Sequence, residues 1–198
     1  MKELHDRTIQ FVRAALANHQ PDILPDPTLK DSAVLLLLYP KEGEYCVLLN
    51  KRSMEVEFNK GEMCFPGGSK DPEDADLVAT ALRESEEEMG IRPKDIIILG
   101  ELSETNTGAG FRIHPYVGTI PYPCIFTPSG IEIAEVVEVP VAHLMDPRNY
   151  VEDMRMRNGV LTRMTTFTYN EHRIFGATAR ILRQFLEILE QSGWPKEE

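Results

Sequence analysis

The segment that most restricts this chain runs from residue 74 to residue 89, where helix-forming residues continue unbroken until Gly90 and Pro93 stop them. Gly90 suits the position just past the last turn, because glycine enters the left-handed region without a Cβ clash, and Pro93 keeps the helix from resuming. Asp71 and Asp74 are the candidate N-caps. Residues three and four apart share a helix face, so Glu84, Glu87 and Glu88 are expected together, with Val78, Leu82, Ser85 and Met89 on the opposite stripe.

The flanks are of β type. Residues 33–39 and 45–50 are apolar runs separated by a short stretch containing Gly43, which predicts a hairpin or neighbouring strands. Further strands are expected over 96–102, 113–120, 133–139 and 160–169, with a helical turn near 141–145 and a terminal helix over 177–191. Residues 2 to about 18 read as an amphipathic helix with Leu4, Val12, Ala15 and Leu16 among its apolar positions, broken by Pro21, Pro25 and Pro27. Strands before and after a central helix, with another helix at the end, predict an α/β sandwich with a mixed β-sheet.

Three like charges on one helix face repel, and their convergence calls for a cation. Hard divalent ions take oxygen ligands, and magnesium typically combines one or two carboxylates with phosphate oxygens and water. Such an ion would neutralise scissile phosphates and acidify an attacking water. Read alone, the run is equally an ordinary solvated acidic face. Phe65-Pro66-Gly67-Gly68, just upstream, is by itself only a turn, although two glycines there allow close backbone approach to a ligand.

Bulk properties narrow the classes. A net charge of −11 without any Lys/Arg cluster argues against nucleic acid as a partner. Three scattered cysteines, Cys46, Cys64 and Cys124, suit neither a disulfide framework nor a zinc site. The longest apolar run is too short to span a bilayer, and Glu3, Asp6 and Arg7 stand where a signal peptide would be apolar, so no membrane partner and a cytoplasmic location are expected.

Arg83, Glu84, Glu87, Glu88, Gly90 and Ile91 fall in register on the box Gly-x5-Glu-x7-Arg-Glu-U-x-Glu-Glu-x-Gly-U, where U is apolar, and the chain thereby resembles the Nudix hydrolases. The first half is displaced: Gly68 and Asp74 stand one position early, and Ser85 replaces the apolar residue. Leu48, Leu49, Arg52, Ser53, Gly61, Phe65, Pro66, Gly67 and Gly68 also match an upstream motif of the coenzyme A pyrophosphatase branch, with Asn50 in place of Thr and Glu57 in place of its second Arg. The resemblance implies a Nudix-type α/β/α sandwich over residues 30–192 behind a helical extension over 1–29. It implies Mg2+ or Mn2+ on Glu84, Glu87 and Glu88, with Arg83 orienting the carboxylates. Hydrolysis of coenzyme A or its thioesters to 3′,5′-ADP and 4′-phosphopantetheine is the implied reaction, and a homodimer is common in the family.

In that setting Arg52 and Ser53, with Gly67 and Gly68, are the expected substrate contacts, and Glu87, Glu88 and Arg83 the expected catalytic groups. Glu57 would repel an anionic part of coenzyme A, which favours a different nucleoside diphosphate derivative such as ADP-ribose, a dinucleotide or a nucleoside triphosphate. A non-catalytic nucleotide-binding module is the third reading. Glu88, Glu135 and Glu138 are candidate general bases, the last two also reading as strand faces. His114 reads as structural, Phe65 as core and Trp194 as packed on the body or a partner.

Overall fold

The computed structural model describes residues 7–57, 59–157 and 159–194. Strand β1 (Lys30–Lys41) carries an unbroken apolar run because both of its faces are covered. Ala33, Leu35, Leu37 and Tyr39 enter one core; Leu36 and Leu38 enter the other. β1 turns through Glu42 and Gly43, both at positive φ, into β2 (Glu44–Arg52), giving the expected hairpin in the turn geometry that matches strand twist.

Two short strands follow, β3 (Met63–Cys64) on β2 and β4 (Gly67–Ser69) on β1, and lead into helix α2 (Leu77–Met89). Then come β5 (Ile97–Glu101), β6 (Thr105–Asn106) and β7 (Phe111–Thr119), with β7 parallel to β1 and antiparallel to β5 and β6. β8 (Ile133–Pro140) lies antiparallel to β2. Together these strands form one mixed sheet. Helix α2 packs on one face; on the other lie α1 (Arg7–Ala17) and α4 (Gly176–Gln191), whose Phe185, Leu186 and Leu189 join Leu36, Leu38 and Leu49. This is the α/β/α sandwich expected.

Helix α3 (Val141–Met145) leads to a second, three-stranded antiparallel sheet of β9 (Tyr150–Arg157), β10 (Val160–Tyr169) and β11 (His172–Ile174). β9 escapes the sequence pattern, since Glu152 and Asp153 interrupt its apolar residues and leave only the short Met154-Arg155-Met156 alternation. The observed α1 starts at Arg7, and Leu4 of the expected helix lies outside the described residues. Its Ile9, Val12, Ala15 and Leu16 are buried in the main core. Trp194 closes that end, edge-on to Phe11 at 5.9 Å and to Tyr45 at 6.4 Å.

Two expectations for α2 are corrected. Its N-cap is Asp76, which accepts from the Ala79 N–H at 2.8 Å, because the Asp74 carboxylate is already taken by Arg83 and Thr80. The buried face is Thr80, Ala81, Ser85, Glu88 and Met89, so one glutamate lies on the covered side while Val78 and Leu82 stay partly exposed. Gly90 takes φ 69° and donates to Glu86 O, as a helix stop requires.

Candidate active site

Arg83 organises the outer part of the site. Its Nε and Nη2 each lie 3.0 Å from one oxygen of Asp74, a bidentate pair. Nη2 also donates to Ser69 O at 3.1 Å, while Nη1 reaches Glu84 Oε1 at 2.9 Å and Glu87 Oε2 at 3.0 Å. The Arg83 contact holds the Asp74 carboxyl well below the usual carboxylate range, aided by the Asp71 N–H and the Thr80 hydroxyl. Asp74 thus reaches Arg83 from one residue before the position of the box glutamate. The offset hid it in the sequence; an acid spaced for Arg83 was the available signal.

Glu88 occupies the inner part. Its Oε2 accepts from Asn50 Nδ2 at 3.0 Å and from the Gly67 N–H at 3.2 Å, and Arg52 Nη1 stands 3.7 Å from Oε1. Burial nevertheless pushes its carboxyl up to about 8, with the charges of Glu84 and Glu132 adding to the effect. Burial also raises Glu84, against the pull of Arg83. Asn50 and Glu132 were not foreseen as members of the site. Asn50 is fully buried, and its proximity to Glu88 depends on pairing that local sequence does not display.

The glycine loop is fitted against these groups. Gly67 sits at φ 153°, and a Cβ there would lie 2.3 Å from Ala33 O; a Cβ on Gly68 would lie 2.4 Å from Glu84 Oε1. Only glycine lets β4 approach both the sheet and the helix carboxylates this closely. On the far side, the loop before β8 is tied down by Ser129 N–H to Glu88 O and by Ser53 N–H to Glu132 O. Ser53 is buried, and its Oγ accepts from the Glu55 N–H at 3.0 Å.

The donor set fits a hard divalent cation, being all carboxylate oxygen with two members driven towards protonation by burial and mutual repulsion. The three glutamates do not close on a point: Glu84 and Glu87 are gathered on Arg83, and Glu88 turns inward to the covered side of the helix. Among the described residues, the trio whose ligand atoms lie mutually within 4.8 Å is Glu135, Glu171 and His172. Lys51 stands 3.9 Å from Glu135 there, so that cluster reads as strand-face ion pairing. The Glu138 carboxylate is engaged by Tyr39 and Lys41. His114 bridges Asp31 and Glu104, and Phe65 is buried in the core.

A cleft of about 380 Å3 opens beside the glycine loop, bounded by Arg52, Gly67, Gly68, Thr107, Phe175 and Arg180. The NUDIX domain family model matches residues 29–154, which include the whole carboxylate site except what α4 adds to the cleft. The chain belongs to the Nudix family of hydrolases. It is similar to an uncharacterized Nudix hydrolase, NudL, of Photorhabdus laumondii, 34% identical over 161 residues that cover 81% of this chain and 86% of that protein. The NudL of an Enterobacter species is 31% identical over 182 residues, covering 92% of this chain and 95% of the relative. Among solved structures, the Nudix hydrolase RenU of M. smegmatis superposes with a TM-score of 0.55 at 18% identity, over 85% of this chain and 89% of that one. A MutT/nudix family protein from Enterococcus faecalis gives 0.56 at 16% identity, over 96% and 73%. These two likenesses support the Nudix fold. Divalent cations are the general cofactors of Nudix hydrolases, in keeping with the donor set. No helix among the described residues is long and apolar enough to cross a membrane.

Proposed function

We propose that this Nudix hydrolase splits the pyrophosphate bond of coenzyme A or its thioesters, giving 3′,5′-ADP and 4′-phosphopantetheine. The observation that carries this reading is that residues of the upstream motif, Arg52, Gly67 and Gly68, border the Glu84/Glu88 carboxylates, with Arg52 3.7 Å from Glu88 and on the wall of the cleft, while neighbouring Ser53 is tied to the Glu132 backbone.

Glu84, Glu87 and Glu88 would hold Mg2+ or Mn2+ in this reading, Glu87 being the exposed member beside Arg83. A divalent ion held there would supply charge neutralisation at the diphosphate and a more acidic water. Arg52 offers its guanidinium to phosphate oxygens, and Ser53 retains its O–H for donation while accepting from Glu55. Gly67 and Gly68 allow the substrate close to the backbone, and Arg83 positions the carboxylates. Glu132, on the loop before β8, adds its negative charge to that of Glu84 and Glu88 and so strengthens the demand for a cation there. One bridging P–O bond breaks, and the elements of water are shared between the two phosphate products. The enzyme is assigned to the cytoplasm.

Glu57, exposed on the loop that also brings Asn59 to the cleft, favours a second reading in which the diphosphate belongs to another nucleotide such as ADP-ribose. Chromatography of products formed from coenzyme A, ADP-ribose and a dinucleotide with either metal decides between them, with the Glu87→Gln/Glu88→Gln variant as control. 3′,5′-ADP formed by the intact protein alone supports the first reading. Coenzyme A left intact while ADP-ribose is cleaved supports the second.

A further inference from the structure

β9 is the outer strand of the three-stranded sheet, and among the described residues nothing pairs with its free edge. Antiparallel partners point to the same side, so Tyr150 with Phe167, Glu152 with Thr165, Met154 with Arg163 and Met156 with Leu161 form one face of the β9–β10 hairpin. The base of that face is covered: Phe167 is fully buried, and Glu152 and Arg163 meet Arg183 and Glu187 of α4. Beyond those contacts the same face runs on uncovered. Met154, Met156 and Leu161 are 57, 68 and 58% exposed. An open edge beside uncovered apolar side chains is a template for strand pairing.

The charges on the opposite side of β9 choose the partner. Asp153 precedes Met154 and Arg155 follows it, the two bridging at 3.2 Å within one chain. If two β9 strands run antiparallel with Met154 facing Met154, Asp153 of each copy lies opposite Arg155 of the other, and the two-fold axis makes both pairs at once. A strand acidic on one side of its midpoint and basic on the other is complementary to itself when reversed.

We propose that β9 is the dimer edge of this protein: two copies join their three-stranded sheets through antiparallel β9 pairing centred on Met154, with Met154, Met156 and Leu161 of both copies forming one apolar strip. The pairing satisfies the edge N–H and C=O groups and covers the methionines together. It is independent of which nucleotide the active site hydrolyses.

Sedimentation of the full chain over a range of concentrations tests this, with Asp153→Arg and Arg155→Asp made separately. The intact protein is expected to be a dimer. Each single variant places like charges opposite one another in both symmetry-related pairs and should weaken association about tenfold or more. An equimolar mixture of the two variants restores opposite charges at both pairs and should recover the dimer. Unchanged circular dichroism and melting temperature of the variants separate lost association from lost folding. A monomeric intact protein, single variants that associate as tightly as the original, or a mixture that stays monomeric would each overturn the proposal.

Discussion

Arg83 grips Asp74 with two parallel hydrogen bonds of 3.0 Å and uses its remaining nitrogen to gather Glu84 and Glu87. The guanidinium is therefore fixed from behind before any ligand arrives. Replacing Asp74 with Ala should leave the protein folded but free Arg83 to follow the glutamates, lowering metal affinity or kcat by about 10–100-fold, the usual cost of losing a group that orients ligands. Calorimetric titration with Mn2+ and steady-state kinetics check this; an Asp74→Ala protein with unaltered metal affinity and kcat would show that the bidentate pair is not needed for positioning.

The two glycines of the loop should respond differently to the same substitution. A methyl group on Gly68 meets the movable end of Glu84, so Gly68→Ala should melt close to the original protein while binding metal more weakly. A methyl group on Gly67 meets the β1 backbone at Ala33 and demands an unfavourable φ, so Gly67→Ala should lose on the order of 2–4 kcal/mol in urea denaturation. Equal losses of stability for both would refute this division.

The elements with a strong local signal were legible in the sequence, and so was the carboxylate helix. The run through Leu35–Leu38 reads as a strand, and Gly90 with Pro93 reads as a helix stop, because each is set by properties of neighbouring residues. β3, β4 and β6 are two or three residues long, too short to carry a pattern of their own; β3 and β4 exist through pairing with β2 and β1, and β6 through a tight turn into β7. Asp74, Asn50 and Glu132 enter the site through a one-residue offset, a cross-sheet approach and a loop tied to Ser53. Glu88 is expected with Glu84 and Glu87 as a metal ligand, but its burial against the Asn50 and Gly67 donors has no local signal in the sequence.

Burial of Glu88 makes the metal-free protein sensitive to pH. Its carboxyl titrates near 4.5 when unfolded and is pushed up to about 8 in the fold, so between those values the folded state holds a proton that the unfolded state has released. Stability in EDTA should therefore fall as pH rises from about 5 to 8, by on the order of 1–4 kcal/mol, and Glu88→Gln should flatten that slope. Asp74 acts in a separate window: its depressed carboxyl supports the fold above pH 3.8, and that support disappears as pH drops further. Urea midpoints at several pH values in EDTA test both signs, and a midpoint that rises between pH 5 and 8 would contradict the first.

Asn50 should set the acidic limb of metal binding. Its Nδ2 donates to Glu88 Oε2 at 3.0 Å from a fully buried position and so favours the charged carboxylate that a cation requires. In an Asn50→Leu variant of similar volume the donor disappears, leaving Gly67 N–H and Arg52 to hold the charge. A hydrogen bond to a charged group contributes about 1.5–3 kcal/mol, so the pH at which Mn2+ binding reaches half its plateau should move upward by about 1–2 units. Binding at high pH should approach that of the original protein, because the carboxylate forms there without help. Loss of affinity by the same factor at every pH would instead mean that Asn50 shapes the site rather than tuning the Glu88 proton.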